Sequence, residues 1–184
     1  MTTVVLAIVV ALAVSLGYLW RASVRLRRLH ARLEQAWAET ERALEERDRA
    51  LRGFLARLSS LGLVPQGRNS LEEALRGVGR ARGEGPRALA EADERLKLAL
   101  RAVYGGLPRQ RPPALREAQN LLAEAEDELD LARRRYNELV VDWTALVYRR
   151  TYRLLANRLG LSRREPYLLP GEEAEFARRR GPAF

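Results

Sequence analysis

MTTVVLAIVVALAVSLGYLW, residues 1–20, carries no charged side chain, and RASVRLRRLHARL, residues 21–33, follows at once with five arginines. An apolar span closed by a basic collar is the pattern of a membrane helix. The stretch from Thr3 to Trp20 holds about 18 residues, which at ~1.5 Å each in a helix reach ~27 Å, close to the thickness of a hydrocarbon core. Tyr18 and Trp20 stand at its far end, where aromatic rings with a polar tip favour the headgroup level.

A cleaved secretory signal would need a positive segment before the apolar run and small residues after it. Here bulky Tyr18, Leu19 and Trp20 lead straight into arginines, so the sequence predicts an uncleaved anchor. Arg21, Arg25, Arg27 and Arg28 lie on its carboxyl side, and basic flanks stay in the cytoplasm. The expected topology is therefore amino terminus outside and everything after the anchor inside.

The chain has 184 residues, so the anchor leaves enough for one domain with one core. It has no cysteine and a single histidine, His30. That excludes disulfides, thiolate sites and the histidine clusters of zinc or haem centres, and no metal or cofactor is expected. A formal charge of +9 invites a nucleic-acid partner, because basic clusters neutralise phosphates. Yet Lys97 is the only lysine, and zinc-finger spacing, aromatic RNA-binding strands and a helix-turn-helix are all missing. Nucleic acid is thus the weakest of the partner readings.

From the collar onward, Leu26, Leu29, Leu33, Ala36, Thr40, Leu44, Leu51, Leu55 and Leu58 recur mostly at steps of three, four or seven, the signature of a helical seam. Membrane helix and first domain helix can be one rod, with Gly53 as its only weak point. Gly62, Pro65, Gly67 and Asn69 end it in a loop. Ser70 and Glu73 have capping-box spacing, which predicts a short helix from Leu71 that frays near Arg80 to Arg82. Pro86 suits a first helical turn, and Leu89, Ala92, Leu96, Leu100 and Val103 form the next stripe up to Gly105 and Gly106.

After a proline-rich turn at residues 107–113, the stripe Leu115, Ala118, Leu122, Ala125, Leu129, Ala132, Tyr136, Leu139, Trp143 and Leu146 has the heptad pattern of helix against helix. The expected helix continues through Leu155 to Leu159, capped at Gly160. No strand is expected. The predicted fold is all-α: an N-terminal transmembrane helix continuing into an antiparallel up-down four-helix bundle whose first and last helices are long. Its expected divisions are an anchor at 1–20, a cytoplasmic bundle at 21–160 and a basic, partly disordered tail at 161–184. Near the bilayer the first and last helices would form a two-helix stalk, and folding back would carry Arg163, Arg164 and Arg178 to Arg180 towards the anionic leaflet.

Residues 132–138, ARRRYNE, then Asp142-Trp143-Thr144, Leu154-Leu155-Ala156 with Gly160, and Pro166-Tyr167 resemble the carboxyl-terminal signature of the LemA family. Ala36-Trp37, Tyr104, Leu107, Leu115 and Glu126 fall at that family's spacings, so the likeness runs along nearly the whole chain, with Arg135, Tyr136 and Asn137 its most specific part. Trp143-Thr144 replaces the family's Tyr-Asn, and Arg150-Thr151 replaces its Phe-Pro, which predicts a last helix without a break. The Asp-Leu-Ile-Pro-Asn stretch of the family's first helix is here replaced by residues 49–53. The resemblance implies a divergent member: a bacterial inner-membrane protein with a cytoplasmic helical bundle and no catalytic activity. It also brings in a membrane-shaping alternative, beside the peripheral lipid-organising role that the arginine collar and tail themselves suggest.

The residues themselves agree with a binding or structural role. Glu124, Glu126, Asp127, Glu128 and Asp130 are the one dense carboxylate run, without the Glu-x-x-His pairs of a di-iron bundle. No small-molecule substrate is expected. Tyr136 lies on the apolar seam, so Tyr136 and Asn137 read as specificity within the bundle or, less readily, as ligand contacts. Trp37, Tyr148 and Tyr152 on the stalk leave two readings open: self-association or contact with a membrane protein, and aromatic packing inside one chain.

Overall fold

The structure, a computed structural model, describes residues 1–161 and 164–180. Its described residues form six helices and no strand: α1 (Thr2–Ser60), α2 (Arg68–Ala81), α3 (Pro86–Gly105), α4 (Pro113–Tyr148), α5 (Arg150–Arg158) and α6 (Glu173–Arg180). The all-helical fold follows from the seams, each of which buries one face of its helix.

Helix α1 is a single rod of 59 residues that passes Gly53 without interruption. Every residue from Thr2 to Arg21 is exposed, and burial begins at Ala22. From there Leu26, Leu33, Leu44, Leu51 and Leu58 are essentially inaccessible. Emptying one such site by Leu→Ala costs about 2–5 kcal/mol in a well-packed core. One helix therefore has two parts: an 18-residue window long and apolar enough to cross a membrane with none of it buried, and a stripe that the rest of the chain covers.

The cover is mainly α4. His30 meets Trp143 edge-on at 5.4 Å between ring centroids, and Trp37 meets Tyr136 at 5.0 Å. Seven residues forward on α1 match seven backward on α4, so the two helices run antiparallel in one register. Helices α2 and α3 make a second pair, joined through Gly85 at φ 105° and started by Pro86 in the first turn of α3. Phe54 of α1 packs edge-on against Tyr104 of α3 at 5.7 Å, which ties the second pair to the first.

Two expectations about helix ends are corrected. Helix α2 begins at Arg68, not Leu71, and Ser70 and Glu73 form no capping box. Gly67, in the left-handed region at φ 90°, already turns the chain, so Ser70 falls inside the helix. The last helix is also broken: Arg149 is extended at ψ 129°, and α5 starts anew at Arg150. The missing proline did not secure continuity. Tyr152 and Ala156 are buried on α5, which packs against α1 and α4; a straight continuation of α4 would turn both away from the face that buries Tyr136 and Trp143. Gly160 does cap it, at φ 67°, with the Leu161 N–H bonded to the carbonyl of Ala156 at 2.9 Å.

Residues 164–180 pack in part against the helices. Tyr167 is fully buried, Phe176 packs on the core, and α6 contacts α4. Arg163 lies outside the described residues, as do residues 181–184 and the side chain of Arg180.

Candidate functional site

The site grows from one turn of α4. Arg133, Tyr136 and Asn137 sit at i, i+3 and i+4, which places them on the same face. Asn137 donates from Nδ2 to the carbonyl of Tyr167 at 2.8 Å and accepts the Tyr167 N–H on Oδ1 at 2.8 Å. Its amide thus satisfies both backbone groups of one residue, as a neighbouring strand would. The Tyr136 hydroxyl donates to the Glu165 carbonyl at 2.7 Å. Arg133 grips Glu172 with both terminal nitrogens, one of them 3.0 Å from Oε1, and Glu172 also accepts the Leu169 N–H at 3.0 Å. The segment 165–172 is therefore clasped to α4 by side chains rather than by secondary structure.

Behind the clasp lies a buried charge cluster to which four parts of the chain contribute. Arg47 of α1 and Asp93 of α3 form an ion pair with 1% and 2% side-chain exposure. Lys97 approaches Asp93 from the next turn at 3.6 Å, and Arg82 bonds Asp48 at 2.6 Å. Tyr167 is lodged beside this cluster, with the Arg133 guanidinium 6.0 Å from its ring centroid. A charge taken out of water is tolerated only when paired; each charge here has an opposite partner, while Arg47 Nε and Nη2, Asp48 Oδ1 and the Tyr167 hydroxyl are buried without a hydrogen bond.

Electrostatic effects in the cluster have nameable causes. Burial opposes the charge on Arg47, but the carboxylate of Asp93, with Tyr167 and Asp48, outweighs it and raises its pKa. Burial raises Asp48 and Glu126, with Arg82 and Arg47 pulling Asp48 back and Arg47 and Lys97 pulling Glu126 back. Glu172 moves the other way: its burial is outweighed by the hydrogen bond from Arg133, and its pKa is lowered. The Tyr136 hydroxyl is pushed up to about 12, chiefly by burial and also by Glu165.

Of the residues singled out in the sequence, Tyr136, Asn137 and Tyr167 come together directly. Pro166 is partly buried between two of the clasped carbonyl positions, and Glu126 faces the charge cluster while its neighbours Glu124, Asp127 and Glu128 point outward. Trp37 and Trp143 pack along the same α1–α4 seam, Trp37 with its indole N–H on Glu41 at 2.9 Å. Arg135 is exposed and takes no part; Arg133 fills the role. Tyr18, Trp20, Arg21, Arg25, Arg27 and Arg28 are exposed at the other end of the molecule. Of the stalk aromatics, Tyr152 is buried within the chain and Tyr148 is half exposed. Arg164 is paired with Glu34 and Arg179 with Glu175.

Sequence reasoning missed Arg47, Asp48, Arg82, Asp93 and Glu172. A signal existed: the α1 seam jumps seven residues from Leu44 to Leu51, and Arg47 and Asp48 occupy the positions skipped. Among the described residues no group of three or more His, Cys, Asp or Glu side chains is placed to hold a metal ion. Comparison with protein-family models, with curated proteins and with solved structures finds no match for this chain.

Proposed function

We propose that this chain is a single-pass, membrane-anchored helical scaffold of a bacterial inner membrane, divergently LemA-like, that presents its bundle to a partner in the cytoplasm or membrane and carries out no catalysis. In this reading the α1–α4 and α2–α3 pairs make one antiparallel up-down four-helix bundle, with the amino terminus outside. One observation carries it: residues 2–20 are apolar and covered by nothing among the described residues, while the same unbroken helix is buried in the fold from Ala22 on. A cleaved leader has no reason to be rigidly continuous with the helix that organises the core.

The rival is a peripheral module held to anionic lipid, or shaping it, through arginines. The outward-facing collar, Arg21, Arg25, Arg27 and Arg28, supports that reading. Alkaline carbonate and high salt separate the two. An anchored scaffold stays in the membrane pellet under both, whereas attraction to headgroups is screened by salt. Self-association of the scaffold would appear as crosslinked dimers or larger species in native membranes from cysteines placed along Leu26 to Thr40. Only monomer with no partner would remove the proposed interaction surface.

A further inference from the structure

The break at Arg149 places a short helix at the level where the anchor leaves the bilayer. The register set by His30 with Trp143 and Trp37 with Tyr136 runs out at the end of α4, about opposite Arg25. Ala22 lies beyond that point yet is only 2% exposed; α5 packs against α1, while α3 meets α1 far along the rod at Phe54. Helix α5 therefore covers α1 beside Ala22. Along the axis Ala22 is two residues, ~3 Å, from Trp20.

Two properties of α5 bear on what it meets there. Its inward face is satisfied by Tyr152 and Ala156, but Leu154 is 70% exposed and Tyr148, just before the break, is 50% exposed. Its charge is one-sided: residues 143–164 hold six arginines and no Asp or Glu, and residues 1–33 hold five arginines and no Asp or Glu. The fold brings α1 and α5, which lie within these acid-free stretches, together, while the nearest carboxylates, Glu34, Asp142 and Glu165, stand on the side away from the anchor. Arg149, Arg150, Arg153 and Arg158 are all exposed. Apolar and aromatic side chains among arginines, with no acid nearby, suit a helix lying in an anionic headgroup layer.

The geometry points to α5 as an interfacial helix, docked by Leu154 and Tyr148 into the acidic phospholipid leaflet that α1 crosses. This rests on the anchored reading above and adds a second, non-spanning contact. With α1 held along one line, α5 fixes how the bundle is tilted and turned over the membrane.

The absence of cysteine makes the test direct. Full-length chains carrying one nitroxide each, at Leu154→Cys, Leu12→Cys or Leu131→Cys, are reconstituted in vesicles of phosphatidylglycerol mixed with phosphatidylcholine, and in phosphatidylcholine alone. Collision with oxygen, concentrated in lipid, is compared with collision with a water-soluble paramagnetic complex. The expected result is a lipid-facing label at Leu12, a water-facing label at Leu131, and a Leu154 label several-fold more accessible to oxygen than Leu131, receding toward water in phosphatidylcholine alone. If Leu154 matches Leu131 while Leu12 is immersed, the interfacial helix is overturned and the anchor stands. If Leu12 is itself in water, the anchored reading falls with it. Equal immersion of Leu154 in both lipids overturns the part assigned to acidic headgroups.

Discussion

The side-chain amide of Asn137 and the backbone of Tyr167 hold each other through two hydrogen bonds of 2.8 Å across thirty residues of sequence. That pair turns a stretch without helix or strand into part of the core. Tyr167 could not otherwise be fully buried, because its N–H and carbonyl would lose water without gaining partners.

Asn137→Ala removes both bonds and strands two backbone groups. Its cost is about 2–3 kcal/mol, given a net ~1 kcal/mol for each bond and added desolvation for the groups left behind. Urea unfolding of the full chain in mild detergent should show that loss, and hydrogen exchange at residues 165–169 should accelerate more than exchange in α2 and α3.

Arg47 and Asp93 make a second prediction. Arg47→Ala leaves a carboxylate buried with only Lys97 near it, and breaking a buried pair in this way costs about 3–5 kcal/mol. Replacing both, as Arg47→Met with Asp93→Leu, should recover most of the loss, since well-packed apolar side chains replace such pairs at little cost. Unfolding midpoints of the two single variants and the double variant test the coupling.

The clasp and the cluster respond to pH with opposite signs. Glu172 is held below its ordinary value by Arg133, so its contribution is present above the ordinary carboxylate range and is lost as pH falls through its depressed folded value. Glu126 is raised by burial, so its contribution is full below the ordinary value and is lost as pH climbs through the raised one. Urea midpoints against pH should therefore lose part of their acid-side fall in Glu172→Gln and part of any fall above the ordinary carboxylate range in Glu126→Gln. An unchanged acid limb in Glu172→Gln would contradict the part given to the clasp.

The legible part of this fold was its periodicity. Leu26 to Leu58 and Leu115 to Leu146 announce their helices because a seam must recur at the helical period to be buried. Helix ends were less legible: the start of α2 turned on the backbone of Gly67, and the break at Arg149 turned on how α5 packs, which local composition does not encode. In the site, Tyr136 and Asn137 stood out, but Arg133 was hidden among three consecutive arginines and Arg47 and Asp93 among the many charges of an arginine-rich chain. Which charge is buried depends on contacts between helices, and only the seven-residue gap at Leu44 to Leu51 pointed to it.

The account as a whole depends on α1 crossing the bilayer with the fold on its inner side. Two carboxyl-terminal fusions of the full chain measure this directly: a fluorescent protein that matures only in the cytoplasm, and an alkaline phosphatase active only outside it. The predicted result is bright fluorescence with little phosphatase activity, both fusions retained in the membrane after alkaline carbonate. An active phosphatase with a dark fluorescent fusion, or a chain shortened at its amino end and free of the membrane, would contradict it.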